Sequence, residues 1–239
     1  MLKLLDKDSD ELKILMSLNK IESDDNHVIA VLEFFHLDVG TVVALPIAYP
    51  LDWRGFTTPA IALDLMDQLI KAVGFIHANG VAHLDLKPNN IVVSCTDNCP
   101  RLVVIDFGVS VFVKSPEDEI EGFVGTREWV APEVGTKHGP HQRYSPIRAD
   151  RWACGHLLAH MASRSKVQLS TEMEKLIGDL TSGNPLQRPP LETYYLRKAT
   201  KKHLSDNLEV SVPKRVRQGY WQFSGPDAVP WGPTPIICP

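Results

Sequence analysis

One stretch constrains this chain more than any other: His83-Leu84-Asp85-Leu86-Lys87-Pro88-Asn89-Asn90, followed by two apolar runs and then Ile105-Asp106-Phe107-Gly108. An aspartate, a lysine and an asparagine share one loop. The runs Ile91-Val92-Val93 and Leu102-Val103-Val104-Ile105 read as a strand pair, joined by a polar turn containing Asp97-Asn98-Cys99-Pro100. Such a pair returns a second aspartate, Asp106, to the place the chain left. Phosphoryl transfer calls for this set of groups. It needs a carboxylate to orient a hydroxyl, oxygen ligands for Mg²⁺, and a cation for developing phosphate charge.

Around that core the pattern is mixed. Apolar positions at 12, 14, 15, 16 and 18 predict a short helix, with Asp8, Ser9 and Asp10 as candidate N-caps. Residues 28–32 and 41–45 read as buried strands separated by a turn at Asp38-Val39-Gly40. Residues 59–79 have helical spacing and are stopped by Gly80; 148–161 and 171–180 read as further helices. The last forty or so residues are rich in proline and nearly aperiodic.

More motifs follow in order. Gly125-Thr126-Arg127-Glu128-Trp129-Val130-Ala131-Pro132-Glu133, Asp150-Arg151-Trp152-Ala153-Cys154-Gly155 and Asn184-Pro185-Leu186-Gln187-Arg188-Pro189 complete a series over residues 83–189. The series resembles the protein kinases, with a catalytic loop of the H-R-D-x-K-x-x-N kind, a D-F-G motif and an A-P-E segment. The resemblance implies an α+β, two-lobed fold. Residues 1–48 would form a curtailed β-rich N-lobe with a short helix, two strands and a hinge. Residues 49–199 would form the mainly helical C-lobe, and 200–239 a Pro-rich tail.

What the resemblance implies for the site can be stated residue by residue. Asp85 would orient the substrate hydroxyl, and Asn90 and Asp106 would hold Mg²⁺. Lys87 would meet the γ-phosphate of ATP, with Thr126 bonding the Asp85–Lys87 pair, as in serine/threonine kinases. Lys3, at the end of a strand, and Glu11, on the first helix, would form the pair that contacts ATP. Leu45 would be the gatekeeper, and Pro46-Ile47-Ala48 the hinge beside adenine. Arg188 would pair with Glu133, and the Asp150 helix would anchor the loop from below. The implied activity is transfer of the γ-phosphoryl of ATP to a protein serine or threonine.

Several features depart from the pattern. Leu84 stands where an arginine usually receives an activation-loop phosphate, while Glu117, Asp118, Glu119 and Glu121 fill the segment beyond Asp106. The stretch from 161 to 171 is too short for a helix that many kinases use in docking. No G-x-G-x-x-G occurs anywhere. The short Lys3-to-Glu11 interval, Asp25-Asn26-His27-Val28-Ile29-Ala30-Val31-Leu32 and the H-L-D loop resemble compact fungal kinase-domain proteins. A pseudokinase used as a binding scaffold, and a fragment of a longer active kinase, are the alternatives these departures leave open.

Composition limits the rest. Across 239 residues, 44% are hydrophobic and 23% charged, enough apolar material for a core and too much for a disordered chain. A net charge of −4 gives no global field for nucleic acid. No apolar run approaches the ~20 residues that span a bilayer, and charge comes too early for a secretory signal. An intracellular protein, cytoplasmic or nuclear, is expected, without a nucleic-acid or membrane partner. Oligomeric state is not readable. His83 reads as a packed core histidine rather than a base. Cys95 and Cys99 read as ordinary thiols rather than a metal site. Lys214-Arg215-Val216-Arg217 reads as a solvated basic run, while Trp221 and Trp231 suggest that part of the tail packs on the body.

Overall fold

The computed structural model describes residues 1–51, 58–96, 99–139 and 142–194. Strand β1 (Leu2–Leu5) carries Lys3 and leads into helix α1 (Asp10–Leu18). Ser9 caps that helix by accepting from the Leu12 amide, and Asp10 and Glu11 complement the positive end of its dipole. Leu12, Ile14, Leu15 and Leu18 face the core. Strands β2 (Glu33–Leu37) and β3 (Gly40–Ala44) form a hairpin, and the antiparallel sheet runs in the order β1-β3-β2. Its register sets Lys3 opposite Val43 and Val43 opposite Phe34.

The hairpin corrects the expectation of a strand over 28–32. That segment contributes one parallel bridge, Val28 to Val104, and the strand lies further on, at β2. The backbone of 27–32 is bonded in several directions at once. Ile29 N–H donates to Val104 O, Val31 N–H to the Asn19 side chain, and Leu32 N–H to Ala44 O. Buried His27 bonds Leu102 O at 2.8 Å. The segment is a strap that ties α1 to the larger lobe; Val28 and Ile29 are buried without a ladder, while Ala30 and Leu32 are exposed.

The second lobe begins with β4 (Tyr49–Pro50) and the long α2 (Pro59–Ala78), capped by Thr58 and closed by Asn79 before Gly80, whose φ is 69°. β5 (Val81–Ala82) leads to the loop of interest. β6 (Ile91–Thr96) and β7 (Cys99–Val104) form the expected hairpin, with β4 on its outer edge. Cys99 and Pro100 belong to β7 rather than to the turn. β8 (Val111–Phe112) pairs with β5, and β9 (Ile120–Glu121) with β10 (Arg143–Tyr144).

Helix α3 (Pro146–Ser165) starts earlier and ends later than the 148–161 expected. Pro146 sits in the first turn, where a proline costs nothing, behind the Ser145 cap. The helix is buried on most of its surface, including Asp150 and Arg151, so the apolar stripe that marks a boundary is blurred. Helix α4 (Thr171–Leu180) follows directly, and the described residues between them hold no further helix. The core runs continuously from Leu12 and Val43 through Leu69 and Phe107 to Leu157 and Leu180. No helix of the described residues is long and apolar enough to cross a membrane. The tail beyond 194, with Trp221 and Trp231, and the Cys95 and Cys99 side chains lie outside the described residues.

Candidate active site

Two bonded clusters meet between the lobes. In the first, Lys3 Nζ donates to Glu11 Oε1 at 2.6 Å and to Asp106 Oδ1 at 3.1 Å. β1 presents the lysine, the first turn of α1 presents the glutamate, and the end of the β6–β7 hairpin presents the aspartate. Burial opposes the charge on Lys3, but the two carboxylates outweigh it and raise its pKa. Burial also works to raise the Asp106 carboxyl. Lys3 and the Gly108 amide prevail, and hold it below the usual carboxylate range. Asp106 is therefore an ionised, half-exposed carboxylate at neutral pH.

The second cluster surrounds Asp85. Thr126 donates to Oδ1 at 2.7 Å, while Lys87 and Asn90 donate to Oδ2 at 2.7 and 3.0 Å. Lys87 also reaches Thr126 Oγ1 at 2.9 Å. Asn90 spends its amide N–H₂ on Asp85, so Oδ1 is the end with capacity for a cation. One carboxylate and one amide oxygen fit a Mg²⁺ that keeps phosphate and water ligands, and fall short of an all-protein cage. Among the described residues no cluster of three His, Cys, Asp or Glu side chains could hold a metal alone.

The loop bearing Asp85 is held rigidly. Asp150, almost fully buried on α3, accepts from the backbone N–H of His83 at 2.5 Å and of Leu84 at 2.7 Å. Leu84 thereby keeps a φ of 65°, a conformation that disfavours a branched side chain. His83 is wholly buried, and burial lowers its pKa. Its Nε2 bonds Ile105 O at 3.0 Å, and its Nδ1 accepts from Asp85 N–H, so it is a neutral structural link between the loop and the Asp106 hairpin. Gly125 has a φ of 103°, and a Cβ there would lie 2.5 Å from Leu84 O. This explains why glycine precedes Thr126.

Leu84 sits in a small second core with Ala82, Val134, Tyr144 and Ile147. The acidic segment beyond it carries surface ion pairs. Arg148 meets Glu117, and Arg143 meets Glu119, each at 3.3 Å, and Asp118 caps the Lys114 amide. Further down, Arg188 grips Glu133 through both guanidinium ends, one at 2.8 Å, and also bonds Arg148 O.

Seven of the singled-out residues fall into these clusters: Lys3, Glu11 and Asp106 in one, Asp85, Lys87, Asn90 and Thr126 in the other. Leu45 and Ala48 join neither. Leu45 is buried, with its amide bonded to Met1 O, and half-buried Ala48 packs on the main core. Sequence reasoning missed His77, whose Nε2 lies 3.2 Å from Asp150 and backs the brace. It also missed the arginines facing the acidic segment. Both depend on pairings across long separations in the chain, for which the sequence holds no local signal.

With this geometry in view, the family can be stated. The protein kinase domain family model matches residues 6–215, and the chain belongs to that family. Among curated proteins, it is 41% identical over 107 residues to a CBL-interacting protein kinase 16 of Oryza sativa subsp. japonica. That match covers 44% of this chain and 22% of the relative. It is 41% identical over 91 residues to a calcium/calmodulin-dependent serine/threonine-protein kinase 1 of the same plant, covering 38% and 14%. A CDPK-related protein kinase of Daucus carota is 41% identical over 94 residues, covering 39% and 14%. The matches span about a fifth or less of these relatives. All three are plant proteins, and the fungal likeness stands on the quoted residues alone.

Proposed function

We propose that this chain acts as a serine/threonine protein kinase, moving the γ-phosphoryl of ATP to a protein hydroxyl. The observation that carries the reading is Asp85 held at both oxygens by Thr126, Lys87 and Asn90. In that role Asp85 orients the incoming hydroxyl and receives its proton as the oxygen bonds to the γ-phosphorus. The bond from that phosphorus to the β-phosphate oxygen breaks, and ADP leaves. Lys87 neutralises charge on the moving group, and its bond to Thr126 fixes where its ammonium lies. Lys3, braced by Glu11, serves the inner phosphates, and Leu45 with the backbone of 46–48 borders adenine.

Asn90 and Asp106 would hold Mg²⁺, which when bound neutralises phosphate oxygens. The partition into an N-lobe over 1–48, a C-lobe over 49–199 and a tail over 200–239 belongs to the same reading. The shared Lys87–Thr126 bond favours serine and threonine over tyrosine. Phosphoamino-acid analysis after incubation with Mg-ATP and a mixed protein substrate tests this. Phosphoserine and phosphothreonine that vanish with Lys87→Ala are expected. Phosphotyrosine alone, or a signal indifferent to Lys87, would overturn the proposal.

A further inference from the structure

The end of α1 is held by the strap over 27–32. The Asn19 side chain donates to Leu15 O at 2.9 Å and to Ile29 O at 3.2 Å, and its oxygen accepts from the Val31 amide at 2.8 Å. Asn26 donates to Leu18 O at 2.9 Å and accepts from the Val28 amide at 3.1 Å. Two carbonyls that close the helix are thus met by side chains that also grip the strap. On its other side the strap is fixed to β7. Val104 N–H donates to His27 O at 2.8 Å, Ile29 N–H donates to Val104 O at 3.0 Å, and Arg101 reaches Asn26 O at 2.8 Å. Val104 stands two residues before Asp106. The contacts close a circuit: Glu11 on α1, the strap, β7, Asp106, and Lys3 bonded to both carboxylates.

His27 lies at the joint of that circuit. The residue is 3% exposed, and because a carbonyl only accepts, its Nδ1–H is the donor to Leu102 O. A second proton would put a charge in this buried place, near Arg101 of β7 and Lys71 of α2, with Asp25 of the strap as the neighbouring carboxylate. Lys71 is itself paired with Asp67 at 3.3 Å. Burial first, and then the two cations, hold the His27 pKa below its usual value against the pull of Leu102 O and Asp25. The ring is therefore neutral at pH 7, and in acid it can take its proton only by leaving the joint. We infer that His27 is a positioning residue for the Lys3–Glu11–Asp106 line, and that a proton on its ring frees α1 and weakens the hold on Mg-ATP. The inference rests on the reading of that line as the ATP site.

Amide hydrogen exchange and Mg-ATP kinetics on the full chain, from pH 7.5 to 5.0, test this together. His27→Asn offers an amide N–H₂ in place of Nδ1–H and takes up no proton. In the unaltered protein, protection of the Leu15 and Ile29 amides, corrected for the intrinsic pH dependence of exchange, should fall about 3-fold or more beyond the fall in His27→Asn. KM for Mg-ATP should rise by a similar factor relative to the variant, while kcat, set at Asp85, follows one pH profile in both. Asn19→Ala, which cuts another tie between α1 and the strap, should raise KM about as much at every pH. Equal pH dependence of protection in the two proteins would overturn the inference, and so would a KM that stays matched while protection falls. Should His27→Asn not fold, the unaltered protein decides: constant protection overturns the inference, and a fall confined to α1 and the strap upholds it. The expected fall in a protein without measurable phosphoryl transfer would uphold the strap and overturn the kinase reading instead.

Discussion

Each Asp85 oxygen has its own partners, and this makes the roles of neighbouring side chains separable. Thr126 contributes one hydroxyl, which donates to Oδ1 and accepts from Lys87. Thr126→Val keeps the shape and removes both bonds, so the carboxylate and the ammonium each lose a fixed position. A fall in kcat of about 10- to 100-fold is expected, because small misplacements of reacting groups cost that much. The melting temperature should barely move, since Thr126 is only half-buried. His83 gives a pH prediction. Burial holds its folded pKa below the usual value of about 6.5, so protons bind the unfolded chain more readily. The stability this brings is present above that value and is lost as pH falls through the folded pKa. Urea unfolding between pH 7 and 5 should therefore show falling stability, with a shallower fall in His83→Gln. Equal slopes would remove His83 from the account.

At the scale of elements, close approach decides where α3 and α4 lie. A Cβ on Gly155 would sit 2.6 Å from the Leu180 Cβ, so the helices cross at a position only glycine allows. Gly155→Ala should cost about 1–3 kcal/mol, read by urea unfolding, the usual price of overpacking. This glycine was visible in the sequence as part of the Asp150 motif, while the helix it pins to was visible by periodicity alone. Legibility followed that division. Elements with one apolar face, such as α1, α2 and α4, could be read from spacing. The strap over 28–32 could not, because an apolar run with only Val28 and Ile29 buried, and no ladder, looks in sequence like a buried strand. The site was legible because its residues are grouped in short motifs. Its braces, His77 on Asp150 and Arg148 on Glu117, join distant parts of the chain and left no pattern.

For the molecule as a whole, the question is what keeps the segment between Asp106 and Glu133 in place. Leu84 is packed in apolar surroundings rather than offering a cation, and Glu117 and Glu119 are matched by arginines. The segment is held by the apolar packing of Ile120, Phe123, Val124 and Val130 and by the β9–β10 pairing, with the two exposed ion pairs adding little. Activity should be unchanged by phosphatase treatment, measured as transfer rate before and after; a large loss would show that an added phosphate is needed. The same lobe arrangement brings Lys3, Glu11 and Asp106 into one bonded line across the cleft. That line and the Asp85 cluster together are what make this chain read as a catalyst. The most direct test is the initial rate of γ-phosphoryl transfer from Mg-ATP by the purified protein and by Asp85→Asn. A rate at least ~100-fold lower in the variant, at an unchanged melting temperature, is the predicted result, in line with the contribution of a positioned proton acceptor. Equal rates from the two proteins would contradict the account.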